Sequence, residues 1–158
     1  KLVAANDNGG GQIVAAGDLA ALAALSENPP EGARVRALAV AGAFHTSFME
    51  PAVEPLRTLA ATIQTAPTTI SVISNKDGEV VSDGGEVLTR IVNQIANPVR
   101  WDLCMQTLKN LGVTGVIELP PAGTLVGLLK RGAPEIETFA LKSADDLSAA
   151  KEFAGRHA

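Results

Sequence analysis

The chain has 158 residues, 46% of them hydrophobic and 19% charged, which excludes a disordered, collagen-like or low-complexity protein and predicts about one domain. Its formal net charge of -4, lack of a basic run and few aromatic residues argue against nucleic acid as a partner. One cysteine and two histidines are too few for a disulfide or a zinc site, and we expect no membrane span, no signal peptide and a cytoplasmic location.

The first quarter of the chain predicts a hairpin, a helix and a strand. In chain order these are strands over residues 1–5 and 12–16, a helix from Leu19 that stops at Asn28-Pro29-Pro30, and a strand over residues 35–40. The segment Asn6-Asp7-Asn8-Gly9-Gly10-Gly11 joins the first two strands, because its residues tolerate left-handed backbone angles. Since the chain starts with Lys1 and enters an apolar segment at once, we expect it to be part of a longer polypeptide.

The rest of the chain alternates between helical and strand patterns, which predicts a mostly parallel sheet. The first predicted element is a helix whose apolar face carries Met49, Val53, Leu56, Leu59, Ala60 and Ile63. It is followed by a strand over 69–74, a turn over 75–78, a helix over 85–96, a helix from Asn97-Pro98 to Gly112, a strand over 113–119, a turn over 120–123, a helix over 124–131, a strand over 136–141 and a last helix opened by Ser143. Pro51 and Pro55 cannot both occupy the first helical position, so either that helix starts irregularly or it is kinked near Pro55.

His45 is the main candidate for chemistry. It follows Gly42-Ala43-Phe44 at a predicted strand-to-helix junction, where a side chain can project into a cleft and act as a general base. The alternative is a histidine whose hydrogen bonds are satisfied at the end of a strand. His157, beside the C-terminus, is expected to be exposed.

A general base needs a nucleophile, and the chain has no G-x-S-x-G elbow. Ser47 fits better as the cap of the following helix. Cys104 lies on the apolar side of a predicted helix and is expected to be a buried core residue. If His45 is a base, the serine that it serves is therefore not in this chain.

Four segments resemble the C-terminal half of the malonyl-CoA:acyl carrier protein transacylase family and the related acyltransferase domains of fatty acid and polyketide synthases. They are NDNGGGQIVAAG (residues 6–17), GAFHTSFMEP (42–51), NQIANPVRW (93–101) and ELPPAGTLVGLLKR (118–131). Their order and spacing make the resemblance specific over residues 1–131.

The resemblance implies transfer of a malonyl group from malonyl-CoA, through a serine acyl-enzyme, to the phosphopantetheine thiol of acyl carrier protein. His45 matches the catalytic histidine of the family. Gln94 matches the residue whose backbone carbonyl orients that histidine, so that Gln94→Ala should have a mild effect. No metal or other cofactor is implied, and coenzyme A enters as part of the substrate.

The resemblance also assigns residues to substrate binding. Asn6, Asn8 and Gln12 match the polar segment that lines the substrate cleft, although Gly9-Gly10 replaces the usual Ser-Pro. Phe44 matches the position at which a phenylalanine accompanies malonyl selection, because its ring fills the space that an α-methyl group needs.

In fold terms the resemblance implies an α/β chain with two parts. Residues 1–41 would be the later part of a ferredoxin-like small subdomain, and residues 42–158 the C-terminal part of an α/β-hydrolase-like large subdomain. The N-terminal half, with the nucleophilic serine, would be absent, so we expect the chain alone to be inactive. The alternatives are a non-catalytic module that binds acyl carrier protein or coenzyme A, and an acyltransferase domain of a larger polyketide synthase.

Overall fold

The computed structural model describes residues 1–158 as seven short strands and six helices. The strands are β1 (Leu2–Asp7), β2 (Ile13–Gly17), β3 (Val72–Ile73), β4 (Val80–Val81), β5 (Val99–Arg100), β6 (Gly115–Glu118) and β7 (Glu137–Ala140). The helices are α1 (Leu19–Glu27), α2 (Glu50–Ala60), α3 (Gly84–Gln94), α4 (Trp101–Asn110), α5 (Thr124–Gly132) and α6 (Leu147–Arg156), with 3-10 turns over Ser47–Met49 and Ala144–Asp146.

The predicted N-terminal hairpin is confirmed. β1 and β2 pair in antiparallel register from Leu2 opposite Gly17 to Asp7 opposite Ile13. β1 runs two residues further than predicted, because Asn6 and Asp7 also pair in parallel with Val99 and Arg100 of β5.

The strands form three small sheets rather than one. Their orders are β2-β1-β5, β3-β4 and β6-β7. The β1–β5 and β6–β7 pairs are parallel, while the β1–β2 and β3–β4 pairs are antiparallel. The prediction of a mostly parallel sheet is therefore wrong for this chain, because the turn after β3 leads directly back into an antiparallel neighbour.

Residues 35–40 do not form the predicted strand. No strand of this chain pairs with them, and Leu38 and Val40 are 59% and 70% exposed. Valines at both ends of the segment favour extended backbone, but a strand also needs a hydrogen-bonding neighbour.

The prediction of a helix that starts at Asn97-Pro98 is also wrong. α4 begins at Trp101, and the residues before it form β5. The backbone N–H of Arg100 donates to Asn75 O at 2.7 Å, so tertiary pairing outweighs the local capping signal.

α2 accommodates its two prolines by starting irregularly. The 3-10 turn over Ser47–Met49 supplies an irregular start, Pro51 lies in the first helical positions, and the helix continues through Pro55 to Ala60. α2 packs against α3, and this contact positions the site described below.

A small core lies between α4, α5 and the β6–β7 pair. Its buried residues are Met105, Leu129, Ala133 and Ile136, with Trp101, Leu108, Val113 and Val116 packed against them. Only 18 of the 158 residues are buried, while Leu19 and Ile70 are 86% and 81% exposed. The chain therefore leaves much apolar surface outside its own core. None of its helices combines the length and the apolar character needed to cross a bilayer.

Candidate active site

His45 lies where an extended loop meets the 3-10 turn before α2. Its φ angle of 63° is in the left-handed region, which non-glycine residues rarely adopt. Two hydrogen bonds to the C-terminal end of α3 hold it there. The backbone N–H of His45 donates to Ile95 O at 2.8 Å, and its Nδ1 lies 2.7 Å from Gln94 O.

The contact with Gln94 determines which ring nitrogen of His45 carries the proton. A backbone carbonyl only accepts hydrogen bonds, so Nδ1 is the protonated nitrogen of the neutral ring. The lone pair on Nε2 is then available, and no group of this chain hydrogen-bonds that atom. A half-buried imidazole in this state is suited to accept a proton from a neighbouring group.

Thr46 organises the turn around His45, a role that the sequence analysis missed. Its hydroxyl is buried, donates to Ala43 O at 2.7 Å and accepts from the backbone N–H of Phe48 at 3.3 Å. Thr46, rather than Ser47, therefore caps the start of the turn. Ser47 is exposed, and its hydroxyl accepts from Lys1 Nζ at 3.2 Å.

The side chain of Gln94 has contacts of its own. Its Nε2 donates to the carbonyls of Asn97 and Pro98, at 2.9 Å in both cases. Asn97 Nδ2 in turn donates to Asn93 O at 2.8 Å. In the sequence, Asn97 has the pattern of a helix cap, and nothing marks the side chains of Gln94 and Asn93 for these contacts.

The aromatic ring of Phe44 lies beside the imidazole of His45. The two ring centroids are 6.5 Å apart with an interplanar angle of 58°, and Phe44 is 45% exposed. An exposed ring at this distance restricts the space next to the candidate base.

Asn6, Asn8 and Gln12 lie in and after β1, which pairs with β5. Asn6 lies opposite Val99, the residue after the carbonyl that Gln94 binds. Asn8 and Gln12 close the β1–β2 turn through an Asn8 N–H to Gln12 O hydrogen bond of 2.9 Å. None of the three hydrogen-bonds His45 or Gln94.

Cys104 is a buried core residue, as the sequence predicted. It is 2% exposed, and its thiol lies 3.4 Å from Ser74 O. Burial raises the pKa of the Cys104 thiol to about 11, so the nucleophilic thiolate does not form near neutral pH.

Glu118 is a buried carboxylate that the sequence analysis gave no role. It accepts hydrogen bonds from the backbone N–H groups of Gly123, Leu125 and Val126 at the start of α5. The carboxylate therefore occupies the positive end of the helix and fixes β6 to α5.

His157 is not exposed as the sequence predicted. Its side chain is 13% exposed, its ring centroid lies 4.5 Å from that of Phe153, and Nδ1 lies 2.9 Å from Thr114 Oγ1. The absence of a side chain at Gly115 makes room for the ring. His157 thus holds α6 against β6, away from the candidate site. No three His, Cys, Asp or Glu side chains cluster as metal ligands.

Known proteins match nearly the whole chain. It is 51% identical over 146 residues to malonyl CoA-acyl carrier protein transacylase of Mycobacterium tuberculosis, covering 92% of this chain and 48% of the relative. A crystal structure of MCAT from Mycobacterium tuberculosis has a TM-score of 0.89 and 51% identity, covering 94% of this chain and 49% of that chain.

A third match is a malonyl-transacylase solved in complex with its type II PKS acyl-carrier protein. It has a TM-score of 0.85 and 27% identity, and covers 96% of this chain and 50% of that chain. No protein-family model matches the chain.

The chain thus spans about half the length of the relatives that it matches, with high identity to one of them and a close structural match to its crystal structure. These findings confirm the resemblance and the α/β fold class inferred from the four sequence segments. The chain belongs to the malonyl-CoA:acyl carrier protein transacylase family and corresponds to its C-terminal half.

Proposed function

We propose that this chain is the base-bearing half of a malonyl transacylase. The malonyl group passes from malonyl-CoA to a serine of the N-terminal half and then to the phosphopantetheine thiol of acyl carrier protein. The observation that carries the proposal is the 2.7 Å contact between His45 Nδ1 and Gln94 O, since it leaves Nε2 free to accept a proton. The names of the relatives support the choice of substrates.

In the first half-reaction, His45 Nε2 accepts the proton of the serine hydroxyl as the serine oxygen attacks the thioester carbonyl. The carbon–sulfur bond then breaks, and the imidazolium gives the proton to the coenzyme A sulfur. In the second half-reaction, the phosphopantetheine thiol loses its proton to Nε2 and attacks the serine ester, and the serine oxygen regains the proton. Gln94 O accepts from Nδ1–H throughout, so the ring keeps its orientation.

The substrate contacts belong to the same proposal. Phe44 limits the space beside His45 and so favours malonyl over bulkier groups. Asn6 faces the substrate near β5, while Gln12 Oε1 accepts from Arg131 Nη2 at 2.7 Å and its NH₂ group is available to a ligand together with Asn8. In the same proposal, residues 1–41 are the later part of the ferredoxin-like small subdomain, and residues 42–158 are the C-terminal part of the α/β-hydrolase-like large subdomain.

The test is to join this chain to the N-terminal half of the Mycobacterium tuberculosis relative and to measure malonyl transfer from malonyl-CoA to the carrier protein. We expect His45→Ala to lower kcat/KM by about 10²–10⁴-fold, the usual contribution of a general base. His157→Ala, at the only other histidine of this chain, is the matched control and should retain kcat. Equal activity of wild type and His45→Ala would refute the proposal.

Intact-protein mass spectrometry separates the alternatives when the two halves are mixed as separate chains. A malonyl adduct on the N-terminal half supports a serine served by His45 in trans. A folding-dependent adduct on this chain would make Ser47 or Cys104 the nucleophile and contradict the proposal. A non-catalytic module would bind carrier protein or coenzyme A without any turnover that depends on His45.

A further inference from the structure

Three side-chain carboxamides surround the C-terminal end of α3. Gln94 Nε2 donates to Asn97 O and Pro98 O, and Asn97 Nδ2 donates back to Asn93 O. Asn93 Oδ1 accepts from Arg57 Nη2 of α2 at 3.0 Å. These contacts fold the chain after α3 back onto the helix and tie the helix end to α2, the helix that follows His45.

The contacts determine how the carbonyls of the helix end are satisfied. The last carbonyls of a helix have no intrahelical partner and must be satisfied otherwise. The side chain of Asn97 donates to Asn93 O, and its backbone N–H donates to Gln94 O at 3.3 Å. Gln94 O and Ile95 O then receive Nδ1 and the backbone N–H of His45.

We propose that the carboxamides of Gln94 and Asn97 form a clamp that positions the acceptor carbonyl of Gln94 and, through it, the tautomer and orientation of the His45 ring. The inference rests on the proposed function, in which His45 is the base. The resemblance gives Gln94 a backbone role alone and a mild effect of Gln94→Ala, whereas the clamp makes its side chain important. Gln94 and Asn97 are thus positioning residues.

Nitrogen NMR of the histidine rings tests the clamp directly, on the chain joined to its N-terminal half. The His45 signals are assigned by their loss in His45→Ala. We expect the wild-type ring to carry its neutral-state proton on Nδ1. Gln94→Met keeps the length of the side chain but removes both donors, and we expect the Nε2-protonated tautomer to become comparably populated. Gln106→Met is the matched control, since that exposed carboxamide reaches only Asn110.

Kinetics provide the second readout. A small misplacement of a catalytic group lowers the rate by up to about 100-fold, so we expect Gln94→Met to lower kcat by about 10- to 100-fold with KM for malonyl-CoA within about twofold. Asn97→Ala removes the hydrogen bond from the Asn97 side chain to Asn93 O and should change the tautomer in the same direction. It serves as the second variant if Gln94→Met does not fold.

An unchanged tautomer in both variants would overturn the clamp, as would a fall in kcat that only follows the loss of folded protein. The two proposals can fail separately. If His45→Ala remains active while Gln94→Met shifts the tautomer, the clamp stands and the assignment of His45 as the base is wrong.

Discussion

Replacement of Glu118 by glutamine tests how the structure holds the start of α5. The carboxylate is 7% exposed and accepts from the N–H groups of Gly123 at 2.8 Å and of Leu125 and Val126 at 2.9 Å. N–H groups in the first turn of a helix have no intrahelical partner. Glutamine keeps the shape of the side chain but replaces one acceptor oxygen by an NH₂ group that faces an N–H donor.

The hydrogen bonds give the magnitude. A bond to a charged group contributes about 1.5–3 kcal/mol, and an unpaired buried donor costs about 1–3 kcal/mol. Glu118→Gln loses at least one of these hydrogen bonds, and the remaining ones no longer go to a charged acceptor. We therefore expect the free energy of unfolding to fall by about 2–4 kcal/mol, which lowers Tm by about 5–15 °C in a protein of this size.

The effect should depend on pH. Burial opposes ionisation of Glu118, but the N–H groups of Val126, Leu125 and Gly123 outweigh it and hold the pKa of the carboxyl below its usual value. A lowered folded-state pKa stabilises the fold above the unfolded-state pKa of about 4.3, and this stabilisation is lost as pH falls through the folded-state value. The gap between wild type and Glu118→Gln should therefore be full at pH 7 and shrink below about pH 4.

Urea denaturation at pH 7 and below about pH 4, followed by the fluorescence of Trp101, measures the difference in the free energy of unfolding between wild type and Glu118→Gln. Glu135→Gln is the matched control, because Glu135 is 56% exposed and pairs with Lys109 at 3.0 Å on the surface. A surface pair contributes little, so the control should move Tm by less than about 2 °C. Equal effects of the two substitutions, or a gap that is the same at both pH values, would refute the assignment of Glu118 as the anchor of α5.

Three other substitutions or treatments give independent checks. Phe44→Ser should raise kcat/KM for methylmalonyl-CoA relative to malonyl-CoA in the joined enzyme, because it frees the space beside the base; an unchanged ratio contradicts the assignment. Cys104 should resist iodoacetamide near neutral pH in the folded protein and react in urea, since burial raises its pKa to about 11; fast labelling of folded protein contradicts this. Gly78→Ala should lower Tm more than Gly112→Ala. The two φ angles are similar, at 74° and 70°, but an added Cβ would lie 2.6 Å from the α4 backbone at Gly78 and would meet nothing within 4 Å at Gly112. Equal losses of Tm would show that backbone strain alone decides the effect.

Local signals predicted the helices and the hairpin well. α1, α4 and α5 follow from apolar periodicity, and the β1–β2 turn follows from its glycines and asparagines. The wrong start predicted for α4 involves a partner that is distant in sequence. Asn97-Pro98 has the local pattern of a helix start, but the following residues pair with β1 and form β5.

Some features of the candidate site had a signal in the sequence, and others had none. His45 was recognisable from its position before a predicted helix, although the strand predicted ahead of it does not form, and Gln94 was identified through resemblance rather than pattern. Their contact spans 49 residues of sequence, so it depends on the packing of α2 on α3. Thr46 had a local signal, since a hydroxyl two residues before an unpaired N–H is typical of a cap. The clamp contacts of Gln94 had none, because its acceptors belong to Asn97 and Pro98, which have the local pattern of a helix start.

The backbone of His45 links the orientation of its imidazole to the fold. A non-glycine residue at a φ angle of 63° costs about 1–3 kcal/mol, which two hydrogen bonds of about 1 kcal/mol each can offset. Both bonds go to consecutive carbonyls at the end of α3, so loss of that helix end would remove ring and backbone restraints together. This chain can therefore fix Nδ1 of the imidazole by itself, while Nε2 has no hydrogen-bond partner within the chain.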